Sequence, residues 1–115
     1  MIRSGVCVWL ATAPVDMRTS FDRLAEHVRT LLAHDPLSGH LFVFRNRSGE
    51  RVKILWWDGA SGSGDGFAIF YKRLERGTFQ FPASTEKTVA IDSRQLMRLL
   101  SGVPLDIANN PSRHG

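Results

Sequence analysis

Apolar residues recur along this chain with two different periods, and the changes of period mark out the elements. Residues 6–13, Val6-Cys7-Val8-Trp9-Leu10-Ala11-Thr12-Ala13, are β-branched and aromatic and end at Pro14, the pattern of a strand covered on both faces. Phe21, Leu24, Ala25, Val28, Leu31 and Leu32 then fall at i, i+3, i+4, i+7, i+10 and i+11, one apolar helical stripe. Thr19 or Ser20 supplies the N-cap, and Asp22 and Glu26 lie toward the positive end of the helix dipole. The helix stops before Asp35-Pro36, because the residue preceding proline disfavours the α region.

Leu41 to Asn46 and Glu50 to Trp57 predict a hairpin around Arg47-Ser48-Gly49. A two-residue turn at Ser48-Gly49 sets Phe44 opposite Lys53 and mixes apolar and charged residues on both faces. A three-residue loop with left-handed Gly49 sets Phe44 opposite Val52 and Arg45 opposite Arg51. Phe42, Phe44, Val52, Ile54 and Trp56 then share one face, and Arg45, Arg51, Lys53 and Trp57 the other. Register follows the hydrophobic pattern, so the second arrangement is expected. It sets two like charges opposite each other, which is unfavourable unless something anionic lies over them.

Asp58 to Gly66 is a loop of glycine, serine and aspartate. Beyond it Phe67, Phe70, Tyr71 and Leu74 fall at i, i+3, i+4 and i+7, with Asp65 as N-cap and Gly77 just past the end. A second helix is expected over Gly66 to Arg76. A strand over Phe67 to Arg73 is the alternative, since short apolar runs are ambiguous. Thr78 to Phe81 reads as a short strand stopped by Pro82, and Lys87 to Ile91 as another. Asp92 or Ser93 then caps a third helix through Leu100, followed by Gly102. The expected fold is one α+β domain over residues 1–108, a mostly antiparallel sheet with a central basic hairpin and about three helices. Residues 109–115 form a polar tail.

The 115 residues, 43% hydrophobic and 23% charged, suit a single globular domain. Cys7 is the only cysteine, which excludes a disulfide framework, and mid-strand it reads as a buried, inert thiol. No apolar run approaches the roughly 20 residues of a membrane helix, and no secretory leader is recognisable, so a cytoplasmic protein is expected.

Candidate chemistry narrows quickly. Cys7 and four scattered histidines (His27, His34, His40, His114) lack zinc-ligand spacing. The glycines between Gly59 and Gly64 lack the Lys-Ser/Thr ending of a phosphate loop and read as plain linker. Asp16, Asp22, Asp58, Asp65 and Asp92 are spread over different elements, unlike the converging carboxylates of a two-metal nuclease. No catalytic residue, metal or cofactor is expected, and the chain does not read as a stand-alone enzyme.

Charge supplies the positive signal. The net charge is +4, and twelve of the fifteen cations are arginine, whose planar fork suits phosphates and carboxylates. Seven cations lie between residues 45 and 76, against four anions, with Trp56, Trp57, Phe70 and Tyr71 interleaved. Arg45, Arg47, Arg51, Lys53, Lys72, Arg73 and Arg76 are the candidates for phosphate neutralisation, and Trp57 for stacking on a base. The plainer reading is a solvated charged face around a core tryptophan.

Several ordered motifs add a resemblance. They are Asp16-Met17-Arg18-x-x-Phe21-Asp22-x-Leu24, the run Gly39 to Arg47, Lys53-Ile54-Leu55-Trp56-Trp57-Asp58-Gly59, Gly66-Phe67, and Tyr71 through Gly77-x-Phe79. Ile91-Asp92-x-x-Gln95-Leu96 and Leu99-Leu100-x-Gly102 continue the series. Together they resemble the small accessory protein TnpB of insertion sequences of the IS-sixty-six type, which is unrelated to the RNA-guided nuclease sharing that name. The resemblance implies a part in transposition, with recombination chemistry carried by a separate, larger transposase. Family members usually pass from Trp-Asp-Gly almost directly into Gly-Phe, whereas here Ala60 to Asp65 intervene. Two modes of action follow. In one, the basic surface binds DNA at the element ends. In the other, the chain is a non-catalytic module that docks on the element-encoded transposase without binding DNA itself.

Overall fold

The computed structural model describes residues 5–59 and 64–103. Within them lie β1 (Val8–Ala11), α1 (Phe21–Thr30), β2 (Leu41–Arg45), β3 (Arg51–Asp58), β4 (Gly66–Arg73), β5 (Thr88–Ile91) and α2 (Ser93–Leu100). The strands form one sheet in the order β4-β3-β2-β1-β5. β1 and β2 are parallel, joined through α1, and the other three pairings are antiparallel. The 109–115 tail, the end of the domain after Val103 and the inserted Ala60 to Ser63 lie outside the described residues.

A helix covers each face, which explains the unbroken apolar run of β2. Leu41 and Val43 point to one side, where they bury with Val8, Leu10, Val52, Ile54 and with Leu96, Leu99 and Leu100 of α2. Phe42 and Phe44 point to the other, against Leu55 and Leu24, Ala25 and Val28 of α1. Truncating one of these buried leucines costs about 2–5 kcal/mol. The α1 stripe is as expected, although Ser20 caps by position only, with no side-chain cap bond. α1 ends through Ala33, which adopts the left-handed conformation at φ 58°. Asp92 caps α2 by accepting the Gln95 N–H, and the Gln95 side chain reciprocates on the Asp92 N–H.

Four local expectations are corrected. The helix expected over Gly66 to Arg76 is the strand β4, so two helices rather than three lie among the described residues. Its helical spacing was carried by a nearly unbroken apolar run. In the strand that run divides between the faces, with Phe67 and Ile69 packing toward α1. Gly77 is left-handed as expected (φ 76°), but it bends the chain after a strand.

The β2–β3 register pairs Phe44 with Lys53 and Arg45 with Val52, the arrangement the sequence argument had set aside. With both faces buried, apolar alternation on β2 cannot choose between registers. Asn46 does: its Oδ1 accepts the Gly49 and Arg51 N–H groups at 3.0 Å, and its own N–H reaches the Arg51 carbonyl. Thr78 to Phe81 is not a strand. It is held by the Phe79 N–H donating to the Gly49 carbonyl. Cys7 is exposed just before β1 rather than buried within it, and its N–H donates to His40 Nδ1.

Candidate nucleic-acid interface

Strand alternation assembles the basic site. Arg51 pairs with Arg73 and Lys53 with Tyr71 across β3 and β4, all four on the α1 side of the sheet. Arg51 Nη1 donates to the Tyr71 hydroxyl at 3.2 Å, and the Lys53 ammonium sits 4.9 Å above the Tyr71 ring. Directly opposed arginines repel. Two carboxylates at the margins offset this: Glu75 accepts from Arg73 Nε at 3.0 Å, and Glu50 lies 3.8 Å from Arg51 Nε. At 3.8 Å the contact attracts charge but is not a hydrogen bond, consistent with an otherwise unpartnered Arg51 Nε. The like-charge pair expected at Arg45 and Arg51 thus occurs at Arg51 and Arg73.

The hairpin turn brings in the rest of this end. The Leu74 N–H donates to Glu50 and the Phe79 N–H to Gly49, each at 2.8 Å, so the bend carrying exposed Arg76 borders the turn carrying exposed Arg47. Arg47 and Arg51 line an open groove of 460 Å³ with Asp16, Asn46 and Glu50. Arg18 grips Asp16 with two guanidinium nitrogens, the closer at 2.7 Å. That bond, with the Arg18 N–H on the same carboxylate, holds Asp16 down to about 2. The Ser48 hydroxyl, the Glu50 N–H and the Asn46 amide hold Glu50 below its ordinary value.

The remaining candidates are placed elsewhere or engaged internally. Lys53 is 8% exposed and its Nζ donates to the Thr19 carbonyl at 2.8 Å, tying β3 to the entry of α1. Arg45 lies on the opposite face, where Nη2 donates to the Thr12 carbonyl at 2.7 Å and the guanidinium covers Phe81. Lys72 also points away, its Nζ donating to the Leu100 carbonyl at 2.8 Å at the negative end of α2. Trp57 packs edge-to-face on Phe67 at the far end of β3, about 20 Å from Arg51 at roughly 3.3 Å per residue. There it lines a 370 Å³ pocket with Trp56, Asp58 and Asp65.

The structure therefore gathers Arg47, Arg51, Arg73 and Arg76 and separates them from Trp57. The aromatic ring among the arginines is Tyr71, which the sequence reading noted but did not place in the site. Arg18 was missed as well. The period-2 spacing of Tyr71 and Arg73 would have found the first, had β4 been read as a strand. Among the described residues no three His, Cys, Asp or Glu side chains converge as metal ligands, and no helix is long and apolar enough to cross a membrane.

Comparison with known proteins gives a consistent picture. The family model described as "IS66 Orf2 like protein" matches residues 6–110. "Uncharacterized protein y4hO" of Sinorhizobium fredii is 46% identical over 105 residues, covering 90% of this chain and 87% of that protein. "Uncharacterized protein y4jC" of the same organism is 31% identical over 99 residues, covering 86% and 80%. No solved structure gives a significant match.

Proposed function

Because this chain belongs to the IS66 Orf2-like family of insertion-sequence accessory proteins, we propose that it serves transposition by binding element DNA through the α1-side face of its β3–β4 hairpin. The observation that carries the reading is the cluster of Arg51, Tyr71 and Arg73 on one sheet face, with Arg47 and Arg76 exposed on the loops beside it. In this role the arginines contact phosphates, and Tyr71, 49% exposed, packs on sugar or base. Lys53, Lys72 and Arg45 hold the surface in shape, and Trp57 lies outside the contact.

The test is fluorescence anisotropy with labelled element-end and scrambled duplexes across a salt series. The expected affinity falls steeply with salt, and replacing both Arg51 and Arg73 with glutamine lowers the salt slope by about 2. Tighter binding to the element end adds sequence readout. A lack of binding at low salt sinks the DNA reading for the isolated chain.

One observation favours a second reading. Asp16, Glu50 and Glu75 pair with Arg18, Arg51 and Arg73 within the patch itself, which gives it the mixed charge of a protein-docking surface with Arg and Tyr anchors. The partner would then be the element-encoded transposase. Co-purification of the two proteins, lost on the Arg51 and Arg73 replacements, is its expected signature.

A further inference from the structure

Among the described residues β4 is an edge strand of eight residues, hydrogen-bonded to β3 on one side. Parity assigns its other side. The Leu74 N–H bonds the Glu50 carbonyl, one step beyond the Arg51–Arg73 pair, so even-numbered residues from 66 to 74 face β3. The N–H and C=O groups of Phe67, Ile69, Tyr71 and Arg73 therefore point outward. Natural edges of this length are usually blunted by charge, proline or a bulge. Here Phe67 to Tyr71 carry no charge or proline, the register against β3 is unbroken, and Phe70 is 37% exposed. Of the two adjacent cations, Lys72 turns inward to the end of α2, leaving Arg73 as the charged side chain at the edge.

We propose that the occupant of this edge is a second copy of the chain, joined by antiparallel β4–β4 pairing about a two-fold axis at Phe70. Charge placement selects the orientation. Both cations lie at one end of the strand, so parallel pairing would stack them, whereas antiparallel pairing carries them to opposite ends. Parity narrows the register: outward groups must meet outward groups, so odd-numbered residues pair with odd-numbered ones and the axis passes through a residue. Exposed Phe70, rather than Ile69 packed toward α1, is placed on that axis, which pairs Phe67 with Arg73 of the second copy and Ile69 with Tyr71, each in both directions. Ala68 then faces Lys72, and Phe70 faces its own counterpart in a non-hydrogen-bonded position, where side chains approach most closely. The result joins the five described strands of each copy into one continuous sheet with both Arg51–Arg73 clusters on the same side. The inference stands independently of any DNA binding.

Sedimentation velocity over a concentration series is the first test, and it expects a concentration-dependent dimer of the full chain. Phe70→Lys, an exposed substitution that sets two ammonium groups on the axis, is expected to give monomer with an unchanged circular dichroism spectrum. Register is tested by oxidation in a Cys7→Ser background. Phe70→Cys should cross-link to dimer, because Cα atoms in such a pair stand about 4.5 Å apart, within disulfide range. Ala68→Cys should not, since its counterpart lies four residues away along the strand. A wild-type chain that is monomeric at every concentration overturns the proposal. So does a Phe70→Lys protein that still dimerises, or equal cross-linking at positions 68 and 70.

Discussion

The two ends of the β3–β4 hairpin share the same pair of strands and differ in nearly everything else. At the β2-turn end Arg51 faces Arg73, carboxylates flank them, and backbone bonds from Leu74 and Phe79 pin the surrounding loops. At the far end Asp58 pairs with Gly66, and two tryptophans line a pocket with Asp58 and Asp65. One end is basic and tightly bonded, and the other is acidic and aromatic. Fully extended backbone explains why residues so close in sequence build such different surfaces. A strand carries the chain about 3.3 Å per residue, so the six steps from Arg51 to Trp57 move from one chemistry to the other. A segment whose cations and aromatics look interleaved is in fact sorted along its length.

The strongest challenge to this contrast concerns Lys53, which belongs to the basic end by sequence but to the core by burial. Lys53→Glu is expected to destabilise the fold by about 3 kcal/mol or more, because it strands the Thr19 carbonyl and buries an unpaired charge. Thermal denaturation reads this directly, and a loss no larger than that of Arg51→Gln would erase the distinction between supporting and surface cations. Gly49→Ala comes next, at about 1–2 kcal/mol. Gly49 has φ 84°, and an added Cβ would meet Thr78 at 3.3 Å. Gly66→Ala, at the other end, meets open space and should change urea stability by less than about 0.5 kcal/mol.

Smaller effects sharpen the comparison. Arg73→Gln should lower the salt slope of duplex binding by about 1, while Trp57→Leu leaves the slope unchanged. Equal responses at both residues would join the two ends into one surface. The smallest expected effect is in acid. The folded-state values of Asp16 and Glu50 are depressed, so their contributions are fully present above their ordinary values of 3.8 and 4.5 and fade as the pH falls below them. A carboxyl NMR titration should find Asp16 near 2, and Arg18→Ala should return it toward 3.8.

What the sequence made legible follows the strength of its periodicities. The α1 stripe, β1, β5 and the Asp92 cap each have one dominant local signal, and each is found close to where it was expected. Phe67 to Leu74 has none, because an apolar run satisfies helical and strand spacing together and pairing with β3 decides between them. The hairpin register was hidden for a related reason. Two buried faces make the alternation on β2 uninformative, and the decision passes to the side-chain amide of Asn46. The candidate basic surface was legible only as a set of residue types. Its division into exposed arginines and inward-tied Lys53, Lys72 and Arg45 depends on carbonyls at Thr19, Leu100 and Thr12, remote in sequence from each cation.

The sheet order has a consequence for synthesis. β1 precedes every other strand of this sheet on the ribosome, yet one of its two neighbours is β5, the last strand to emerge. Until Thr88 to Ile91 have been translated, the hydrogen-bonding edge of Val8 to Ala11 on that side has no partner. A copy of the gene cut short upstream of β5 therefore yields a chain with an open apolar edge, a template for aggregation and a substrate for proteases. Closure of the sheet therefore waits on translation of β5, so a product truncated upstream of it is marked for removal by its own topology.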